Sequence, residues 1–244
     1  MNILKGLFVT ATDTDIGKTV ISGALLAAIK NRGINVGALK PLASGCIRND
    51  RGILEAEDAT FLMKSLDFPE SKRSEVNLMA LEPALTPAVA AKVTGININM
   101  KNVIEHCYDV ADKYEVVLVE GVGGITAPLV EEYLLADMII EFNLPTILVA
   151  TAGLGSINQV VLTYEYAKQR NINLVGIIIN KYDENNAGIL EESNIEYMKR
   201  LTNLPILGKF PLLESLDISS VQLAKIAEEY INVTEIINIM EMNK

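Results

Sequence analysis

Gly17-Lys18-Thr19 follows the apolar run Leu7-Phe8-Val9-Thr10 and opens a long helical pattern. That order suits a nucleotide triphosphate. Backbone N–H groups at a helix start cradle the phosphates, Lys18 reaches the β and γ oxygens, and the Thr19 hydroxyl can ligate Mg²⁺. The pattern G-x-x-x-x-G-K-[ST] wants glycine where Thr12 stands, so the loop is a variant. Two further groups end apolar runs. Glu120 closes Val116-Val117-Leu118-Val119, where a carboxylate is costly unless its charge is compensated. Phosphate-bound Mg²⁺ would compensate it, since that ion takes one or two carboxylates plus phosphate and water oxygens. The plainer alternative is a solvated acid at a strand end. Lys40 ends the run from Asn35 and precedes Pro41. Beside a triphosphate its ammonium would stabilise charge on a transferring phosphoryl group; taken alone it is an exposed lysine before a turn. Asp58 shares a helical stretch with Glu55 and Glu57 and, from the residues alone, reads as surface charge.

These groups need a scaffold that brings strand ends together. Apolar runs bounded by turns alternate with helical patterns, which implies βα units and a parallel sheet. Strands are expected at Leu4–Thr10, Asn35–Lys40, Val116–Glu120, Pro145–Ala150, Leu174–Asn180 and Pro205–Phe210. Helices are expected from Gly17 to about Asn31 and over Ile53–Leu66, Met100–Lys113, Ser156–Arg170, Gly188–Thr202 and Ser219–Ile239, with another starting near Pro87. Ser44 to Asp50 reads as an irregular loop. The expected architecture is α/β, a mostly parallel sheet with helices on both faces, in one domain covering 1–244. Ligands of such sheets sit beyond the carboxyl ends of the strands. Those ends carry the phosphate loop, Lys40, Glu120-Gly121-Val122-Gly123-Gly124 and Asn180-Lys181.

Composition sets outer limits. Half of the 244 residues are hydrophobic, Trp is absent, and aliphatic runs dominate, as in a sheet covered on both faces. The net charge of −10 argues against a general nucleic-acid binder. Cys46 and Cys107 read as reduced thiols, and a lone histidine, His106, excludes a histidine-ligated zinc site. With neither a signal segment nor an apolar run of spanning length, a cytoplasmic protein is expected.

Taken together, four segments resemble the dethiobiotin synthetase family, whose members are P-loop NTPases in fold. They are Thr12-Asp13-Thr14-Asp15-Ile16-Gly17-Lys18-Thr19, Lys40-Pro41-Leu42-Ala43-Ser44-Gly45, Val119-Glu120-Gly121-Val122-Gly123-Gly124 and Gly153-Leu154-Gly155-Ser156-Ile157-Asn158. The resemblance implies a homodimer that makes dethiobiotin from 7,8-diaminopelargonic acid, CO₂ and ATP through a carbamate and a carbamic-phosphoric anhydride, releasing ADP and phosphate. It implies catalytic roles for Thr14, Lys18 and Lys40 at the carbamate and γ-phosphoryl group, and contact of Ser44 with the diamine. Thr19, Asp58 and Glu120 match the Mg²⁺ positions, which overrides the surface reading of Asp58. Nucleotide contacts fall on Asp15, Ile16, Gly17, Lys18, Thr19, Val20, Gly121, Val122, Gly123 and Lys181. Asn180 should bond the adenine, flanked by Pro211, Leu212 and Leu213. Leu154, Gly155, Ser156 and Asn158 would receive the carboxylate of the partner subunit's substrate.

Two departures stand out. The family commonly has glycine and glutamate where this chain has Ala11 and Asp15. Ala11 is a small change if its φ is negative and a strained one if positive. The main rival is a switch-type P-loop ATPase of the partitioning or metallochaperone kind. Such proteins usually carry another lysine early in the loop, where Ala11 and Thr12 stand here. A glutamine-dependent amidating synthetase would need a further domain that 244 residues cannot hold.

Overall fold

Six aliphatic runs become the strands of one parallel sheet: β1 (Gly6–Ala11), β2 (Val36–Leu39), β3 (Val116–Glu120), β4 (Thr146–Ala150), β5 (Leu174–Ile179) and β6 (Ile206–Lys209). Their order is β6-β5-β4-β1-β3-β2, all neighbours parallel. The computed structural model describes residues 4–242. All strand residues of β1, β2 and β4 are buried, which is why these runs are continuously apolar and not alternating.

Ten helices accompany the sheet among the described residues: α1 (Lys18–Asn31), α2 (Glu57–Ser65), α3 (Arg73–Val76), α4 (Pro87–Thr94), α5 (Met100–Ala111), α6 (Leu135–Phe142), α7 (Ser156–Gln169), α8 (Ile189–Thr202), α9 (Ser220–Tyr230) and α10 (Val233–Met242). The period-two geometry of the strands splits the core. Leu7, Val9, Leu118, Ile147, Val149 and Ile178 pack with α1, α2, α9 and α10. Phe8, Val117 and Val119 face α4, α5 and α6, while Leu148, Ala150, Ile177 and Ile179 face α7 and α8. No helix among the described residues is long and apolar enough to cross a membrane.

The expected α/β architecture is present, with differences in detail. The stretch read as an irregular loop begins at the end of one short strand and contains another. Leu42–Ser44 pairs in parallel with Met79–Leu81, and Ile47–Arg48 forms a hairpin with Leu54–Glu55. That hairpin takes the first residues of the expected Ile53–Leu66 helix, so α2 starts at Glu57. The helix expected over Ser219–Ile239 is two. Ile231 is extended, φ −126°, and bridges antiparallel to Gly208 of β6, while Asn232 N–H donates to Leu207 O at 2.7 Å. The bridge and the main-chain hydrogen bond to the sheet edge outweigh helical continuity there. α6 and a hairpin of Pro128–Val130 with Tyr133–Leu134 were not expected.

The chain crosses from β1 to one side of the sheet for β2 and β3, then returns past β1 to the other side for β4 to β6. That reversal leaves a crevice beyond the carboxyl end of β1, where open α/β sheets bind ligands.

Candidate functional site

Register alone brings two of the chemical groups together. β2 and β3 pair with Leu39 opposite Val119, so the next residues, Lys40 and Glu120, stand side by side at the crevice. The main chain of Lys40 is fixed on both sides. Its N–H donates to Val76 O and its carbonyl accepts from Asn77 Nδ2, each at 2.7 Å. Its side chain is buried, and Nζ meets Glu120 Oε1 at 2.6 Å, Asp58 Oδ2 at 2.8 Å and Gly121 O at 2.9 Å. An ammonium has three protons, and each has an acceptor. Burial alone would lower the pKa of Lys40, but the two carboxylates outweigh it and hold the value above the ordinary lysine range. Burial pushes Asp58 up, and Lys40 and the Thr19 hydroxyl pull it further down, so it stays ionised below the usual carboxylate range.

Asp58 therefore meets Lys40 and Thr19 in one cluster, although its side chain stays partly exposed. It lies in the first turn of α2, where a carboxylate suits the positive helix end. Thr19 Oγ1 lies 2.7 Å from Asp58 Oδ1 and 2.9 Å from Glu120 Oε1. A hydroxyl carries one proton, so it donates to one carboxylate and turns a lone pair toward the other. The second oxygen of Glu120, Oε2, is buried without a hydrogen-bond partner among the described residues. A cation between these oxygens would resolve both defects. Among the described residues no cluster of three or more His, Cys, Asp or Glu could hold a metal. Two carboxylates and a hydroxyl leave several positions to phosphate and water, which fits Mg²⁺ and not an all-protein cage.

The phosphate loop is held from below. Gly17, at φ 91°, caps α1 without any side-chain cap, so the first-turn N–H groups remain open to an anion. Asn180, just past β5, donates from Nδ2 to Ile16 O at 2.8 Å, and Lys181 donates to Asp15 O at 2.7 Å. A Cβ on Gly17 would lie 2.1 Å from Asn180 Nδ2, so the close approach itself demands glycine. Asn180 thus spends its amide nitrogen on the loop, a use not foreseen from the sequence. Lys18 donates to Asp13 O at 3.3 Å. Burial, and then the Lys40 ammonium, lower its pKa to about 8. Ala11 sits inside β1 and is absent from the positive-φ residues, so it carries no strain. Asp15 adopts φ 59°, a conformation its short polar side chain tolerates.

The remaining expected residues lie on several separate segments. Gly121, Val122 and Gly123 follow Glu120, and a Cβ on the next residue, Gly124, would lie 3.6 Å from Ala11 O and Thr12 O. Thr14 is exposed on the loop, and its N–H donates to Asp13 Oδ1 at 2.7 Å. Val20 and Leu213 pack at the edge of the core, Pro211 is half-buried, and Leu212 is exposed. Ser44 is half-buried in the short strand after Pro41. Leu154, Gly155, Ser156 and Asn158 form a separate corner after β4, where Leu154 is 90% exposed and Gly155 caps α7 at φ 87°. Gln159 Nε2 and Asp13 Oδ2, 3.5 Å apart, link that corner to the loop. Sequence reading missed Gln159 and the buried Asn194. A polar residue in a helical repeat gives no signal of what it faces.

The family model described as an AAA domain matches residues 5–220. The ATP-dependent dethiobiotin synthetase of Bacillus licheniformis is 36% identical over 239 residues, spanning 98% of each chain. Its Bacillus subtilis counterpart is 35% identical over 235 residues, covering 96% of this chain and 98% of the relative. The Clostridium novyi synthetase is 36% identical over 214 residues, 86% and 88% of the two chains. Among solved structures, a ParA family ATPase from Chlorobium tepidum aligns with a TM-score of 0.59 at 15% identity, covering 98% of both chains. MinD from Pyrococcus horikoshii, complexed with Mg-ADP, aligns at 0.56 and 14% identity over 98% of this chain and 95% of that one. At such identities the structural likeness is one of fold alone.

Proposed function

We infer the reaction from two premises: the chain belongs to the ATP-dependent dethiobiotin synthetase family, and its strand ends hold an ordered cluster of two carboxylates, a hydroxyl and Lys40. The first premise makes it an ATP-dependent ligase of biotin biosynthesis acting on small molecules. The second supports the finer reading, that it closes the cyclic urea of dethiobiotin from 7,8-diaminopelargonic acid and CO₂.

In this reading one substrate amine adds its lone pair to CO₂ and loses a proton, giving a carbamate. A carbamate oxygen attacks the γ-phosphorus, and the bond to the ADP oxygen breaks. The second amine then attacks the carbonyl carbon of the mixed anhydride, phosphate leaves, and the ring closes with loss of a proton. Alignment and charge neutralisation do most of this work. The α1 N-terminus and Lys18 bind the β and γ oxygens. Lys40 and Thr14 face the carbamate and the transferring phosphoryl group, and Ser44 contacts the diamine. Gly121, Val122 and Gly123 close against the phosphates. Asn180 presents its amide oxygen to the adenine amino group, with Pro211, Leu212 and Leu213 beside the ring. Thr19, Asp58 and Glu120 would hold Mg²⁺, which neutralises phosphate charge when bound. The orphaned Glu120 Oε2 supports that assignment.

We place the chain in a homodimer in which Leu154, Gly155, Ser156 and Asn158 of one protomer take the carboxylate tail of the other's substrate. Exposed Leu154, Leu162 and Leu201 on the α7–α8 side support an interface there. The net charge of −10 supports a small-molecule enzyme without a nucleic-acid partner.

Lys40 carries this reading: its buried ammonium, held at the strand ends by Glu120, Asp58 and Gly121 O, supports charge neutralisation on a transferring phosphoryl group. Phosphate release from Mg-ATP and bicarbonate, measured with and without the diamine, tests it. Release should depend on the diamine; release indifferent to it rules the reading out and favours a switch-type ATPase.

A further inference from the structure

We propose that Asn194, in the middle of α8, positions the Ala152–Gly155 turn so that its N–H groups face the substrate carboxylate. The proposal rests on the carboxylate reading of that turn given above and adds the residue that shapes it.

Asn194 is 7% exposed, and its Nδ2 donates to Ala152 O at 2.8 Å and to Gly153 O at 2.9 Å. Both protons of one amide are spent on successive carbonyls of a single turn. Gly153 O also accepts from Ser156 Oγ at 2.6 Å and from Ser156 N–H at 3.2 Å, so this carbonyl is held from three directions. In a trans peptide the C=O and N–H point opposite ways, and the described chain has no cis bond. Drawing the carbonyls of residues 152 and 153 toward α8 therefore turns the N–H groups of Gly153 and Leu154 away from α8. They then project outward beside the first turn of α7, which has no side-chain cap.

The outer side of this turn is open. A Cβ on Gly153 or Gly155 would meet nothing within 4 Å. The turn is thus clamped from behind and clear in front, the arrangement an incoming carboxylate needs. The clamp also explains an unfavourable choice of residue. Asparagine is a weak helix former, and burying its amide is costly without partners. Leucine at this site would suit a helix interior better, but it would take the donor from Ala152 O and leave Gly153 O held by Ser156 alone.

Steady-state kinetics of Asn194→Leu, with the diamino acid and with the same vicinal diamine lacking its carboxylate, test the proposal. For the diamino acid, KM should rise about tenfold or more, the scale of a lost charge-assisted hydrogen bond, with kcat and the KM for ATP within about twofold. For the decarboxylated diamine, wild type and variant should match. An unchanged KM for the diamino acid, or equal losses on both substrates, overturns the positioning role. The wild type gives a second readout that needs no variant. Both Asn194 side-chain amide protons should be protected from solvent exchange, and fast exchange overturns the clamp. A wild type that uses both substrates with one KM refutes the carboxylate reading of the turn. Diamine-independent phosphate release refutes the synthetase reading itself.

Discussion

Replacing Lys40 by methionine keeps the side chain as far as Cε and deletes the ammonium that bridges Glu120 and Asp58. The two acids respond differently. The Glu120 side chain is 0% exposed, whereas that of Asp58 is 44% exposed and can take up water. The loss therefore falls on Glu120, and breaking a buried pair in this way typically costs about 3–5 kcal/mol. For a domain of this size that corresponds to a fall in Tm of roughly 6–20 °C. The raised pKa of Lys40 fixes the sign of any pH effect. Its contribution is complete below the ordinary lysine value and is lost only as pH climbs through the elevated one, so a measurement near about pH 7.5 sits on the plateau. Urea unfolding in chelator should show the full loss for Lys40→Met. Lys40→Met combined with Glu120→Gln should recover most of it, because the uncompensated carboxylate at position 120 is then gone. A divalent cation should also bind Lys40→Met about tenfold more tightly than wild type without nucleotide, worth ~1.4 kcal/mol, since ammonium and metal would share Glu120 Oε1. A loss below about 1 kcal/mol, or a double variant no better than the single, would refute the claim that Lys40 neutralises a buried carboxylate.

Thr19→Val keeps shape and removes the hydroxyl that meets both acids; turnover with Mg-ATP should fall roughly a hundredfold while metal-free ADP binding shifts less than about threefold, read by phosphate release and calorimetry. Gly17→Ala places a methyl 2.1 Å from Asn180 Nδ2 at φ 91° and should weaken nucleotide binding at least tenfold, whereas Gly33→Ala, at φ 82° with nothing within 4 Å, should cost only about 1 kcal/mol of stability. Glu75 supplies the pH dependence. Burial raises its pKa, but hydrogen bonds from Lys72, Lys113 and Tyr114 lower it to about 2, so its stabilisation is present above the ordinary carboxylate value and lost as pH falls toward 2. Glu75→Gln should lower stability by about 1–2 kcal/mol at neutral pH and shrink the difference from wild type below about pH 3, followed by urea midpoints.

Much of the site was legible because strand ends are local features. Lys40 and Glu120 each terminate an apolar run, and parallel pairing with Leu39 opposite Val119 then sets them side by side. Asp58 was not legible from the residues alone. It meets Thr19 across 39 positions of sequence, and its helix looks like any charged surface helix. Asn180 shows the complementary failure, since its place was foreseen but not its bonds to the loop backbone. In the fold, hydrophobic periodicity located the six strands but ran through residue 231 without a break. The reason is that Ile231 is apolar in either setting, buried at 4% exposure whether it continues a helix or docks on a strand. Asn194 lay beyond any periodic signal, because its partners are main-chain carbonyls about forty residues upstream.

The bridge between Ile231 and Gly208 also has a bearing on colloidal behaviour. A Cβ on Gly208 would sit 2.6 Å from Tyr230 O, so the incoming segment lies too close for any larger residue. With Leu207 O already accepting from Asn232, the outermost strand offers fewer free main-chain groups on which a foreign β-segment could template. Loosening the junction after Tyr230 would uncover that strand to intermolecular pairing, in a molecule whose Lys40 cluster at the far strands was still intact.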